Sequence, residues 1–553
     1  MRHKQYRKLS NKRPLIKWFF ILGLGIWIGN LLPKSNLFFL NDLNLQKATH
    51  KFHQILTYIK QDYVDTTNLE GLTEIAISQL IEQLDPHSAY INAEAQTLAS
   101  AELEGEFFGI GIEFVLMQDT IYIIAPISGG PAEKAGIQPG DQVIKVNGQN
   151  WAGQHIKTSQ ILKQIRGSQG SQVTISIQRN NHPDLLDFTL TRDKIHTHSI
   201  DAAYMVDQEI GYLKVSRFTS RTYEEFMGAL ASLKNQGMKK LLLDLRNNPG
   251  GYLDQTVGII EQMLEADKLI VYTQGKISKY NTKYYSKGKN NLLQIPIIVL
   301  INEGSASASE ILAGALQDHD RALIVGRRSF GKGLVQRPIQ LSDGSQLRLT
   351  VARYYTPSGR FIQKPYDQKE ADYQLDLVNR YTRGEYFHAD SIHFDDSLQY
   401  KTAKGRTVYG GGGIMPDYFV PLDTTQYNAD IEQLLGKYVL QQYALEYAQV
   451  HKESLSNMPY ATYDEHFIIT PAMLAQLNKQ AKTAGIVQDK QVSSQSQPRI
   501  KLLLKAYIAR NIWREQGFYA LLNQEDKIFK QAIQLFEEAA NLIKEPPATK
   551  PAS

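Results

Sequence analysis

A serine and a lysine stand in this chain at a spacing and in a setting that could carry acyl transfer. The apolar run Pro296 to Ile301 ends just before Ser305-Ala306-Ser307-Ala308-Ser309-Glu310, and Lys332 follows between Gly331 and Gly333, with Gln336 beyond it. The run reads as a strand buried in a covered sheet, and Glu310 to Gln317 as a helix. A serine at that junction sits where unpaired amides point outward with partial positive charge. An oxyanion can be held there. The chain has no cysteine, so a thiolate nucleophile is excluded, whereas a serine activated by a lysine is a known scheme.

The same residues have plainer readings. Ser307-x-x-Glu310 before an apolar helix is a capping box, and taken alone that is its commoner meaning. Gly326 to Gly333, after the strand-like Ala322 to Val325, mimics a phosphate-binding P-loop, and Leu241 to Asp244 mimics the acidic strand that accompanies one. The mimicry fails where a Ser or Thr should hold magnesium, because Gly333 stands there. A nucleotide-dependent ATPase is therefore a weak alternative, and a silent peptide-binding scaffold is a second one.

Three features occur together: the serine at a strand-to-helix junction, Gly331-Lys332-Gly333-Leu-Val-Gln336, and the turn Asp244-Leu-Arg-Asn-Asn-Pro-Gly-Gly251. In that combination the chain resembles the carboxy-terminal processing, or tail-specific, proteases over about residues 45 to 420. The resemblance implies Ser307 as nucleophile, Lys332 as general base and Gln336 as the glutamine that orients the lysine. A supporting aspartate described in some members would fall on Asp318. One oxyanion donor is expected at the amide of Ala308, the residue after the nucleophile, and the resemblance puts a second on the glycine turn, at Gly250 rather than Gly251. Asp244 and Arg246 read as a structural ion pair or as turn-forming residues rather than catalytic groups. His87 and His319, rivals for a serine–histidine scheme, read as turn and helix-end residues. Lys332 can act only if neutral near pH 7, so its reference pKa of about 10.4 must fall through burial. The scheme calls for no metal and no cofactor.

Upstream, Phe107-Phe108-Gly109-Ile110-Gly111-Ile112 enters an alternating strand, followed by Gly130-Pro-Ala-Glu-Lys-Ala-Gly136-Ile-Gln-Pro-Gly-Asp141. This segment resembles a PDZ domain of the bacterial protease type. Such a domain adds a peptide's last residues as a strand to a sheet edge, with loop amides holding the terminal carboxylate. Those amides would lie at Gly109 to Gly111, with Ile110 and Ile112 near the side-chain pocket and Arg166 as a candidate contact or sensor. The resemblance thus implies protein substrates with free, apolar C-termini, captured by their tails and cut upstream.

The 553 residues, 42% hydrophobic and 21% charged, suit several globular domains. The net charge of +5 is small and partly gathered in the first 13 residues, so no nucleic-acid partner follows. Those basic residues precede an apolar stretch from Leu15 to Leu32 that reads as an uncleaved anchor, with a cleaved signal peptide as the alternative. The positive-inside bias puts the N-terminus in the cytoplasm and the body outside it, in a periplasm if the membrane is an inner one.

The expected architecture is α/β and multidomain. It comprises a basic tail (1–14), a transmembrane anchor (15–33), a helical region (43–100), the PDZ domain (101–192), a crotonase-like serine–lysine core (193–422) and a helical C-terminal region (423–553). The last is a candidate surface for a second copy of the chain or an adaptor. The polar insert at about residues 366 to 408 has no assigned role.

Overall fold

The computed structural model describes residues 43–544 apart from 118, 181, 290, 367–372, 425–428 and 487–495. The expected basic tail and anchor lie outside the described residues, and among the described residues no helix is long and apolar enough to cross a membrane. The chain divides into two compact units, 1–80 and 81–553. Helix α1 (Leu43–Asp62) lies in the first, and α2 (Leu69–Glu82) begins there.

The stretch expected to be helical also holds a strand, β1 (Ala89–Ile91), ahead of helix α3 (Ala93–Glu104). The cause is local. Pro86 disfavours helix at the residue before it, and the Asp85 carboxylate accepts from the amides of His87 and Ser88, turning the chain into an extended path.

Next come β2 (Glu106–Gly109), β3 (Ile112–Met117), β4 (Thr120–Pro126), β5 (Gln142–Val146), α4 (Thr158–Ile165), β6 (Gln172–Gln178), β7 (Leu186–Thr191) and β8 (Asp193–His196). Strands β3 to β7 form an antiparallel sheet in chain order, leaving β3 at an edge with β4 as its partner. Alternating residues such as Ile121, Ile123, Ile175 and Ile177 pack with Ile161 and Ile165 of α4 in one core. Strand β2 pairs with β8, so the neck of this module uses residues just past the expected boundary at 192.

The larger sheet is built from β9 (Ile200–Met205), β10 (Ile210–Val215), β11 (Lys240–Asp244), β13 (Ile297–Ile301), β14 (Leu323–Gly326) and a short β17 (Tyr418–Phe419), in that spatial order. It is parallel from β10 onward, with β9 antiparallel at its edge. Helices α5 (Thr222–Asn235), α6 (Leu253–Ile260) and α7 (Ala308–Asp318) connect these strands and pack on Leu241, Leu243, Ile297, Val299 and Ile301. The alternate residues Leu242, Ile298, Leu300 and Leu323 point to the opposite face, so the apolar runs are needed on both sides. A second sheet joins β1, β12 (Leu269–Gly275), β15 (Leu334–Gln340) and the long β16 (Gln346–Tyr355).

The insert contributes helix α8 (Asp376–Thr382). Beyond residue 420 the described chain is helical, including α9 (Val439–Val450), the kinked α10 (Gln497–Asn523), α11 (Lys527–Gln534) and α12 (Phe536–Lys544). Most of it has its own core around Leu440, Tyr443, Tyr463 and Leu504. Ile528, Phe529 and Phe536 of α11 and α12 instead cover the open face of the large parallel sheet.

Candidate active site

Strand β13 delivers the serine cluster to the start of α7. Ser305 and Ser309 are fully buried, and their hydroxyls donate to Leu245 O (2.8 Å) and Asn248 O (2.9 Å). These two serines tie the helix start to the glycine-rich turn after β11. Ser307 is only half-buried. Its backbone sits at φ 54°, ψ −111°, a conformation that costs a non-glycine residue energy and is held by its surroundings. Of the three serines, Ser307 is thus the one with an accessible side chain.

The capping box is present in the half that Glu310 supplies, and Glu310 reaches much further than capping requires. Its buried carboxylate accepts from the amides of Ser307 (2.8 Å), Gly331 (2.7 Å) and Lys332 (2.9 Å) and from the hydroxyl of Ser329 (2.5 Å). Burial raises its pKa above the ordinary 4.5, and those four donors oppose the shift without cancelling it. Three of the donors are amides that cannot reverse their role, so the group is satisfied as a carboxylate. The buried Tyr354 of β16 acts on the same pair of residues. Its hydroxyl meets the carbonyl of Ser307 (3.1 Å) and that of Lys332. Ser307 and Lys332 therefore share one carboxylate through their amides and one hydroxyl through their carbonyls.

This arrangement disposes of the P-loop reading. The Gly331 and Lys332 amides that a phosphate would need are already taken by the chain's own carboxylate. Gly331 has φ 90°, a conformation that favours glycine, and lets the strand pass close to Gly413.

Burial is the main cause that lowers the pKa of Lys332 below its ordinary 10.5. Glu310 opposes that shift, Arg348 adds to it and Asp85 opposes it. The lysine therefore loses its charge more readily than a solvated one. Among the described residues its amine makes no hydrogen bond to Gln336. Gln336 instead donates to Thr350 Oγ1 (3.3 Å), which donates in turn to Asp85 Oδ1 (2.9 Å). The glutamine is thus linked to the turn before β1, a connection that the expected orienting role did not include.

His87, in that same turn, has its pKa lowered to about 4, by burial first and then by Lys332. It is neutral at ordinary pH, with Nε2 within 2.7 Å of Tyr373 Oη. His319 is bonded to Leu269 O (2.7 Å) at the far end of α7.

Asp318 must be corrected. It closes the 11-residue helix whose first residue is Ala308, which places it about 16 Å from Ser307 at 1.5 Å per residue. Its buried carboxylate is bound by the buried guanidinium of Arg360 (2.6 Å) and by the amide of Ser358 (2.9 Å). It supports the other end of the helix.

In the glycine turn, Asp244 and Arg246 form the expected ion pair (2.7 Å), and Arg246 also binds Asp526 (2.7 Å). Gly250, at φ 100°, lies so close to the serine turn that an added Cβ would come within 2.8–2.9 Å of Ala306 O, Ser307 Cβ and Ala308 N. Only glycine fits there. The turn and the amide of Ala308 are thereby brought together, although the Gly250 amide itself donates to Asn248 Oδ1 (2.9 Å).

In the upstream module, Ile110 and Ile112 are buried in the core, Gly111 has φ 74°, and Gly109 forms a bridge with Arg166. Arg166 caps α4 and lies over the Phe107 ring at 4.3 Å. The glycine loop thus meets the free edge of β3.

Sequence reasoning missed Tyr354, Thr350, Asp85 and the wider role of Glu310. The capping box signalled Glu310, but nothing in the sequence marks Tyr354, which is one of many tyrosines on alternating strands.

Residues 209–374 match peptidase family S41, residues 122–179 match the PDZ domain, and residues 431–514 match a family of unknown function, DUF8443. A carboxy-terminal-processing protease of Bartonella bacilliformis is 36% identical over 381 residues, 66% of this chain and 87% of that protein. A probable CtpA-like serine protease of Staphylococcus saprophyticus is 31% identical over 430 residues, 77% of this chain and 82% of that protein. The solved photosystem II D1 C-terminal processing protease is 26% identical, with a TM-score of 0.34 over 68% of this chain and 87% of its own. A relative matched at this identity over most of its length places the chain among the carboxy-terminal-processing proteases of peptidase family S41, and it is a serine peptidase.

Proposed function

We propose that this chain is a serine endopeptidase that captures the free C-terminal tails of proteins through its PDZ domain and cleaves them by a serine–lysine mechanism. Ser307 attacks the scissile carbonyl while neutral Lys332 accepts its proton. Lys332 then gives that proton to the leaving amine as the C–N bond breaks and the acyl group stays on Ser307. The Ala308 amide stabilises the oxyanion, joined by the Gly250 amide once it leaves Asn248. A water deprotonated by Lys332 then attacks the acyl carbon and releases it from Ser307, whose Oγ takes the proton back. What carries this reading is that Glu310 and Tyr354 each bind both Ser307 and Lys332. In the PDZ domain the tail adds as a strand to β3, with its carboxylate at Gly109 to Gly111 and its last apolar side chain near Ile110 and Ile112. Holding the tail raises the local concentration of the upstream bond, so weak sequence preference at the cut is tolerated. Residues 15–33 anchor the chain with its catalytic body outside the cytoplasm, a reading that rests on the sequence pattern.

The test uses one unstructured polypeptide with its native apolar tail, an amidated tail or a tail ending in aspartates, incubated with wild type and with Ser307→Ala. The expected result is rapid cleavage of the native tail by wild type, slower cleavage of the other two, and none by the variant. Equal rates for the three tails would sink the tail-specific reading. Cleavage by Ser307→Ala would sink the nucleophile assignment.

A further inference from the structure

The insert at residues 366–408 reaches the loop that carries Lys332. Arg380, on α8, is only 1% exposed. It donates Nη1 to Ser329 O (2.7 Å) and Nη2 to Phe330 O (2.9 Å), while its Nε lies 2.9 Å from Asp376 Oδ2. The next carbonyl, Gly331 O, accepts from the amide of Lys364 (2.9 Å). Three consecutive carbonyls ahead of Lys332 are thus fixed from the insert's side. The amides of Gly331 and Lys332 are fixed by Glu310 from the helix side. The segment lies between a buried guanidinium that binds its main-chain carbonyls and a buried carboxylate that binds its amides and the Ser329 hydroxyl.

That chemistry is specific to arginine. A rigid planar fork can span two successive carbonyls, whereas an ammonium group is a point donor on a flexible stem. The charged end of Lys364 also belongs to this cluster. It lies over the rings of Phe330 (4.2 Å) and Tyr373 (4.0 Å) and is 3.0 Å from the same Asp376 carboxylate that holds Arg380.

We propose that Arg380 is a positioning residue for Lys332, setting through the carbonyls of Ser329 and Phe330 the path by which the lysine enters the site. This rests on Lys332 being the general base. The insert is then part of the catalytic apparatus, and α8 does for the lysine loop what α7 does for the serine.

The experiment compares wild type, Arg380→Ala, Arg380→Lys, Asp376→Asn and Lys332→Ala on one unstructured substrate, with thermal unfolding measured for each. Arg380→Lys and Asp376→Asn keep the question answerable if Arg380→Ala does not fold. The folded Arg380 variants are expected to lose about 10- to 100-fold in kcat with little change in KM, since small misplacements of a reacting group cost that much. Their ascending pH–rate limb is expected to move, and added methylguanidinium to restore part of the Arg380→Ala rate without aiding Lys332→Ala. Folded Arg380 variants with the wild-type kcat, or with a lower kcat but an unmoved limb, would overturn the positioning role while an inactive Lys332→Ala left the base assignment standing. If Lys332→Ala itself cleaves, the base assignment is wrong and the positioning role goes with it.

Discussion

The two ends of helix α7 each bury a carboxylate, and they satisfy it in opposite ways. At the C-terminal end Asp318 is held by the buried guanidinium of Arg360. At the N-terminal end Glu310 is held by three amides and a hydroxyl, none of which carries a full charge. The difference bears on what each end can do. A fixed ion pair is a structural solution, closed to further chemistry. Dipoles leave Lys332 as a cation near Glu310 whose charge can still be lost.

The sharpest way to break this contrast is to remove the two groups proposed to react. Ser307→Ala and Lys332→Ala are each expected to lower kcat by about 10⁴- to 10⁶-fold, with kcat measured under saturating substrate. Loss of an N-cap costs only about 1 kcal/mol, so the unfolding midpoint should barely move. Ser305→Ala and Ser309→Ala should keep activity and lose stability, because their hydroxyls join backbone to backbone. If either abolished cleavage while Ser307→Ala retained it, the serine assignment would be wrong.

Glu310→Gln tests the N-terminal end directly. The replacement puts an amide NH₂ where main-chain donors now point, leaving at least one of them unsatisfied at about 1–3 kcal/mol. Both kcat and the unfolding midpoint should fall, with kcat down by about 100-fold as the serine and lysine loops lose their shared anchor. Asp318→Asn should separate the two properties. It leaves Arg360 buried without its counter-charge, a loss of about 3–5 kcal/mol in denaturant unfolding, while kcat per folded molecule stays within about twofold. A dead but fully stable Asp318→Asn protein would mean that the far end of the helix takes part in the chemistry.

The smallest effect concerns pH. Burial disfavours the charged form of Lys332 and so lowers its pKa below 10.5. Only the neutral amine can accept a proton, so the rate should rise with pH through that depressed value. His87, lowered to about 4, is neutral throughout and should add no inflection above pH 6. A rising limb that vanished in His87→Ala but survived in an active Lys332→Ala variant would reverse the roles of the two groups.

How much of this was legible depended on how local each cause is. The serine junction, the lysine loop and the glycine turn are legible as segments because each depends on a short motif, and the PDZ segment, matched over residues 122–179, was equally local. The Asp318 expectation failed on arithmetic that a helix imposes: its 11 residues span the body of the core, so its last residue cannot serve its first. Gln336 and Thr350 face each other on the paired strands β15 and β16, but Asp85 lies 265 positions before Thr350, and no pattern announces that the three will form one chain of hydrogen bonds. Arg380 was invisible for the same reason. It binds main-chain carbonyls, which leave no trace in the identity of their residues.

The apolar alternation of β11 and β13 called for cover on both faces of the sheet, but not for where the second cover would come from. It comes from Ile528, Phe529 and Phe536. These residues follow β14 by some two hundred positions, so the ribosome makes the strands long before it makes their lid. The sheet therefore cannot be covered on both faces in the order in which its strands are synthesised.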